Sequence, residues 1–304
     1  MSSTTTSPSK NDPAPLLAEA LEPLTKPTVT TLSDTVTTAV QKFTDLAKQQ
    51  HEQNKSKDEI LEGFLWSAWH AVFDAAGKTP VDQQEGLVQF MLELKKHDVT
   101  AKTKDSEGKE VEVVLDSGHG SKLWKDLPLF GWEARERWNF IDFDSSPSNE
   151  ERVQQYGWVG FLARLTGLVT KDIKETLAED TPGDFSTYAL WSLRDSFEAG
   201  KFTAADGSLE KGADAELASL CVKQASLWII FAGEYLWRLS KEGRDLPRRL
   251  GISDQRFVDR EWKGFNQERW AVWKKGFEKA QGWVVGDEAK ERVKAAVEVM
   301  VKLG

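Results

Sequence analysis

Cysteine is nearly absent. The single Cys221 in 304 residues cannot form an internal disulfide, and the chain reads as one from a reducing compartment. Histidine is scarce too. His51, His70, His97 and His119 are the four present, no two lie three or four residues apart, and one thiol cannot complete a zinc set, so no metal site is expected. There is no phosphate-cradling glycine loop and no dinucleotide fingerprint, so no cofactor is expected. Long apolar runs are also missing. The most apolar one, 224–233, lies between Lys223 and Glu234 and is half the roughly 20 residues that cross a bilayer, so no membrane association is expected. Residues 1–15 contain one Lys and no signal-like apolar stretch, and the first arginine is Arg135, which speaks against a mitochondrial presequence. The expected location is cytoplasmic or nuclear, not secreted. With 40 Lys and Arg against 49 Asp and Glu, the net charge of −9 disfavours general binding to polyanions.

What the chain has is tryptophan: thirteen, with fifteen Phe but three Tyr and three Met. This composition fits a globular protein with an aromatic core. Half of the ten prolines fall in residues 1–30 among Ser and Thr, which predicts a disordered tail with at most a helical turn at Leu16–Leu21. From 31 onward the apolar pattern is helical. Val36, Val40, Phe43 and Ala47 make one stripe. Ser56-Lys57-Asp58-Glu59 reads as a capping box for a helix carrying Leu61, Leu65, Ala68 and Val72, with Gly77 as its stop. Thr79-Pro80 opens the next helix. Further helices are expected around 128–139, 149–168, 185–199 and 214–241, then one capped by Asn266 and a last one capped by Asp287. Residues 218–239 are apolar on nearly every side, as in a helix at the middle of a bundle. Residues 98–120 interrupt the pattern. They read either as a small hairpin within 98–116, turning at 105–108, or as a flexible insertion. The expectation is an all-α fold: a single domain over 31–304, an irregular multi-helix bundle around a central helix at 218–239.

Four tryptophan-centred motifs occur in order: Leu123-Trp124-Lys125-Asp126-Leu127-Pro128 running to Arg137-Trp138-Asn139; Tyr188-Ala189-Leu190-Trp191-Ser192-Leu193-Arg194-Asp195; Trp228-Ile229-Ile230-Phe231-Ala232-Gly233-Glu234; and Gly264-Phe265-Asn266-Gln267-Glu268-Arg269-Trp270 with Trp273-Lys274 behind. Together they resemble Domain of Unknown Function 3632 over about residues 58–303. The resemblance implies an all-helical intracellular protein of filamentous fungi. It implies no activity and carries over no catalytic residue. The loop at 98–120 is longer than the resemblance leads one to expect.

No catalytic constellation stands out, and enzyme status stays open. Asp116-Ser117-Gly118-His119-Gly120 looks most like a reactive loop, but it lacks the strand–nucleophile–helix context and its glycines read as turn punctuation. Cys221 sits in the apolar helix, where a thiol is usually inert. Asp126 reads as a cap, and Arg137 and the Arg194-Asp195 pair as structural ion pairs. Most tryptophans belong to the core. Trp262, Trp270 and Trp273 share the stretch 241–279 with eleven Lys or Arg against seven Asp or Glu and are expected to be half-exposed. The first functional reading is a non-enzymatic module that binds a protein partner in a groove between helices. The second is a small-molecule binder or enzyme with a cavity lined by Trp191, Arg194, Trp228, Arg269, Trp270 and Trp273, taking a small apolar or anionic ligand. The third, nucleic-acid contact through 241–279, is disfavoured by the acidic remainder of the chain.

Overall fold

The computed structural model describes residues 12–26, 32–53, 59–104, 107–115, 117, 121–139, 148–171, 181–204, 206–247 and 249–304. The fold is all-α with one two-stranded ribbon, and it divides into two compact units, residues 1–158 and 159–304. A single domain was the expectation. The division falls inside a helix, where no change of composition or linker marks it.

In the first unit, helices α1 (Ala14–Leu21), α2 (Leu32–Gln53), α3 (Glu59–Lys78) and α4 (Glu85–Leu94) precede the ribbon of β1 (Thr100–Lys104) and β2 (Glu110–Val114), then α5 (Phe130–Asn139) and the first half of α6 (Asn149–Val169). The tail prediction is corrected for residues 12–26. The Asp12 carboxylate accepts from the Ala14 N–H at 3.0 Å and prolines occupy the first helical turn, so the composition that suggested disorder starts a helix instead. Leu17, Leu21 and Leu24 follow at four and three residues and are buried. The Ser56–Asp58 part of the capping-box prediction lies outside the described residues, as does the side chain of Glu59. Gly77 is not a stop. The helix runs to Lys78, and Gly77 is where the Trp158 indole lies close enough that a Cβ would meet Nε1 at 2.6 Å. That indole N–H donates to the Phe73 carbonyl at 2.9 Å. Pro80 caps a short 3-10 turn, Val81–Gln83, before α4.

The hairpin alternative holds for 98–116. β1 and β2 pair antiparallel from Thr100 opposite Val114 to Lys104 opposite Glu110. Val99 and Ala101 are buried, while β2 is largely exposed, Val113 and Val114 included. The following motif wraps into the core: Trp124 is fully buried beside Trp69, Phe43 and Phe64. Leu127 and Leu129 adopt positive φ of 47° and 66°, a conformation that costs a bulky residue free energy unless its surroundings enforce it. They do: the Trp69 indole donates to the Pro128 carbonyl between them at 2.7 Å. Asp126 accepts from the Lys122 N–H at 2.7 Å, closing the turn before it rather than capping a helix.

The second unit holds the rest of α6, then α7 (Ser186–Phe197), α8 (Ala215–Glu242), α9 (Gln267–Ala280) and α10 (Asp287–Leu303). α8 is the expected central helix. Asp214 accepts from the N–H groups of Glu216 and Leu217 at its start, and Gly243, at φ 67°, closes its end. It packs against α7, α9 and α10. By length and composition α8 could cross a membrane, with mean hydropathy 1.3 over its most apolar window, and 61% of that window is buried within the protein. The sequence reading, which counted uncharged runs, passed over this. Asn266 caps α9 through the Arg269 N–H at 2.8 Å. The predicted Asp287 cap is corrected: Asp287 is the first helical residue, and the N-cap is Gly286 at φ 88°.

Glycines fix how closely helices approach. A Cβ at Gly167 would overlap the Phe231 carbonyl oxygen, whereas one at Gly63 on α3 meets nothing within 4 Å. Gly167→Ala should therefore destabilise by about 1–3 kcal/mol through overpacking, and Gly63→Ala should stabilise by about 0.5–1 kcal/mol. Chemical denaturation of the two variants checks both signs.

Candidate functional site

Two of the residues singled out from sequence, Arg269 and Trp273, meet in a buried ionic knot in the second unit. Capping by Asn266 places Arg269 in the first turn of α9, facing the residue that follows α7, Glu198. Neither side chain has solvent exposure. Arg269 Nε donates to Glu198 Oε1 at 2.7 Å and Nη2 to Oε2 at 2.8 Å, a two-pronged pairing. Nη1 donates to the carbonyls of Gly251 (2.6 Å) and Gly264 (2.9 Å), and Nη2 also reaches that of Ile252 at 3.3 Å. The Trp273 indole donates to Glu198 Oε1 at 2.7 Å. The rings of Trp262 and Trp273 flank the guanidinium at 5.4 and 5.5 Å. All five guanidinium N–H groups thus meet acceptors inside the fold.

This arrangement fixes the loop between α8 and α9. Leu246 N–H donates to Lys263 O and Phe265 N–H to Arg244 O, and Arg269 clamps the loop at Gly251 and Gly264. A Cβ at either glycine would overlap a backbone carbonyl of the facing segment. The expectation of half-exposed tryptophans is corrected: Trp262, Trp270 and Trp273 are 6%, 1% and 0% exposed. Phe265 and Phe277 are buried as well, so the aromatic rings interleaved with cations present no faces for stacking on bases. The indole N–H groups of Trp262 and Trp273 are satisfied inside the fold, by Glu268 at 3.0 Å and Glu198 at 2.7 Å, which permits their burial, whereas Trp270 packs beside Trp237 with its N–H unpaired.

The other predicted residues surround this region without joining it. Trp228 is fully buried on α8 and donates to Ser192 Oγ at 3.1 Å. Trp191 donates to Leu250 O at 3.0 Å. Arg194 turns to Asp195 (3.2 Å) and Asp254 (4.0 Å) instead of sharing an acceptor with Arg269. Asp195 is held above the usual carboxylate range, chiefly by desolvation, with Arg194 opposing. Glu198 is the residue the sequence reading missed. Its only signal was an acid followed by Ala-Gly at a helix end, and its partner lies 71 residues away. Burial pushes the Cys221 thiol far up from its ordinary range. Among the described residues no group of three or more His, Cys, Asp or Glu could hold a metal ion. Asp116 and 118–120 of the reactive-looking loop lie outside the described residues.

An open site exists in the first unit. α1 and α3 border a cleft of about 720 Å³. Small residues line it, Ala14 and Ala18 from α1 and Ala71 and Ala75 from α3, together with Trp66. Asp12, Glu22 and Asp74 reach its rim, against Lys78 as the one lysine. His70 also borders it, with Nδ1 2.7 Å from the Trp66 carbonyl, which makes that nitrogen the N–H donor, and Nε2 3.5 Å from Glu133 Oε2. Glu133 on α5 is 2% exposed and accepts from Arg137 Nε at 2.7 Å. Arg137 also pairs with Asp74 at 2.9 Å and lies over the Trp158 ring. A chain of charges therefore braces α3 against α5 beneath one side of the cleft, which keeps that wall rigid.

The fold and these arrangements define an all-helical protein organised around buried tryptophans and ion pairs. The family described as "Protein of unknown function (DUF3632)" matches residues 69–277. The chain belongs to that family. The match includes the whole of the Arg269 knot and begins within α3, so α1 lies outside it. No curated protein and no solved structure matches the chain.

Arg269→Ala should leave the Glu198 carboxylate buried and unpaired, at a cost of about 3–5 kcal/mol. Arg269→Met and Glu198→Leu alone should each cost a similar amount, and the double variant Arg269→Met, Glu198→Leu much less than those two losses together; urea melts of the wild type, the two single variants and the double variant give the coupling. Cys221 should be silent to a disulfide reagent at pH 8 in the native protein and titrate as one thiol after denaturation.

Proposed function

We propose that this protein is a non-enzymatic interaction module that takes a segment of a protein partner into the cleft between α1 and α3. The observation that carries the reading is the form of that cleft. A lining with four alanines admits close approach of another backbone, Trp66 supplies an aromatic anchor, and the rim is acidic. A partner segment with small or apolar residues on one face and Lys or Arg at its edges would match. Small residues alone would only bring helices together; the rim carboxylates give the cleft a preferred charge. The bracing of α3 by Glu133 and Arg137 supports a preformed surface, which lowers the ordering cost of binding. Trp132, 63% exposed on α5 next to Glu133, adds a second aromatic side chain to the same unit. The lone buried cysteine supports placing this activity in the cytoplasm or nucleus.

A photo-crosslinking amino acid at Ser67, on the cleft wall, tests the reading in the protein's own host. A discrete higher-mass adduct is expected. It should disappear when Trp66→Ala is combined with Asp74→Asn, and weaken as salt is raised in an extract. The same adduct from a crosslinker at Lys290, on the other unit, or no adduct at Ser67, would reject the cleft as the binding surface.

A further inference from the structure

A second cleft lies wholly within the second unit and differs in chemistry. α8 and α10 run parallel: Lys223 pairs with Glu288 near their starts at 3.1 Å, Gly233 faces Val299 and Leu303, and Trp237 faces Gly304. α6 meets α8 where Gly167 lies against the Phe231 carbonyl. Between these three helices is an opening of about 620 Å³, within the range of small-molecule sites. Ile230, Phe231 and Trp237 are only half-buried in it.

The charges around this opening come from three helices. Lys171 follows α6, Arg238 and Lys241 belong to α8, and Lys302 to α10, with Glu234 the one acidic residue. Lys241 lies 5.7 Å from the Trp237 ring centre. Among the described residues, Lys171, Lys241 and Lys302 have no ion-pair partner. Some cations elsewhere in the unit are paired: Lys223 with Glu288, Arg256 with Glu210, Arg260 with Glu268. Lys241 and Lys302 sit in the last turns of their helices, where the helix dipole favours cations. That preference accounts for lysine at two helix ends. It does not account for a row of half-buried apolar side chains leading up to them. From Ile230 to Lys241, α8 advances roughly 16 Å; the Arg164 guanidinium lies over one face of the Phe231 ring at 3.9 Å, and Ile230 and Trp237 lead on to the lysines.

We propose that the α6–α8–α10 cleft binds an anionic amphiphile of medium chain length, its carboxylate or phosphate head held by Lys241 and Lys302 and its apolar chain laid along Trp237, Phe231 and Ile230. The head gains charge-assisted contacts with lysines that no described carboxylate pairs with, in a protein whose net charge is −9. The chain removes half-buried apolar surface from water. This proposal does not depend on the cleft in the first unit.

Calorimetric titration of the full chain with sodium laurate below its micelle concentration tests it, with dodecyl phosphate, 1-dodecanol and dodecyltrimethylammonium as parallel probes. Laurate and dodecyl phosphate should bind with one-to-one stoichiometry. The cationic amphiphile should not bind, and dodecanol should bind at least about tenfold more weakly. Both lysines are exposed, so the Lys241→Glu, Lys302→Glu variant should keep the melting temperature and lose laurate affinity at least about tenfold; Lys290→Glu, at the far end of α10, should leave it unchanged. Equal binding of dodecanol, or of laurate by the double variant, would overturn the proposal. So would association with vesicles of phosphatidylcholine and phosphatidylserine without binding of monomeric laurate, which would assign the surface to a membrane.

Discussion

The pairing of Arg269 with Glu198 is the constraint on which the second unit depends. Two full charges removed from water cost more than their attraction returns unless every remaining donor and acceptor is met. Here the guanidinium is met by one carboxylate and three carbonyls, and the carboxylate by the guanidinium and an indole N–H. The three carbonyls belong to a long connection whose only helix among the described residues is a short 3-10 segment, Gln255–Arg260. The ion pair thus does the ordering that a sheet or helix would otherwise do, tying the end of α7, the start of α9 and both sides of the loop to one point. The glycines at 251 and 264 are the geometric counterpart, since only a residue without Cβ lets those carbonyls come close.

The first unit solves the same problem with neutral donors. The indoles of Trp69 and Trp158 reach backbone carbonyls 59 and 85 residues away. Gln84, fully buried, donates to Ala76, Thr79 and Gly157. Each side chain combines a large or well-packed body with a donor aimed at a carbonyl: Pro128 lies in a turn, Ala76 and Thr79 at the end of α3, and Phe73 and Gly157 inside helices, where the indole or amide adds a second bond. A phenyl ring at 69 or 158 would fill the volume without that donor.

Helix positions were legible because apolar periodicity and the cap at Asn266 act locally. The alternation within 98–116 left a hairpin and a flexible insertion both open, and the pairing of β1 with β2 decides for the hairpin. What sequence could not show was pairing across distance. Arg269 looked like one cation in a basic stretch, and only the fold reveals Glu198 opposite it. Its tryptophan neighbours looked half-exposed because charge density along the chain says nothing about which side chains face one another. The helix at 14–21 was seen only as a turn at 16–21, because prolines begin helices as readily as they populate tails. The cleft between α1 and α3 is assembled from a segment read as tail and a helix read as core, so no local pattern announced it.

The ribbon of β1 and β2 has one further consequence. β2 is its exposed strand, with Val113 and Val114 open to solvent and no further strand paired to it among the described residues. Such an edge invites a strand from another molecule. Glu110 and Glu112 alternate along it and are exposed, with Glu110 paired to Lys102 across the ribbon at 3.0 Å. Charged side chains along an edge disfavour its pairing with another strand, so this row lets the ribbon stand at the surface.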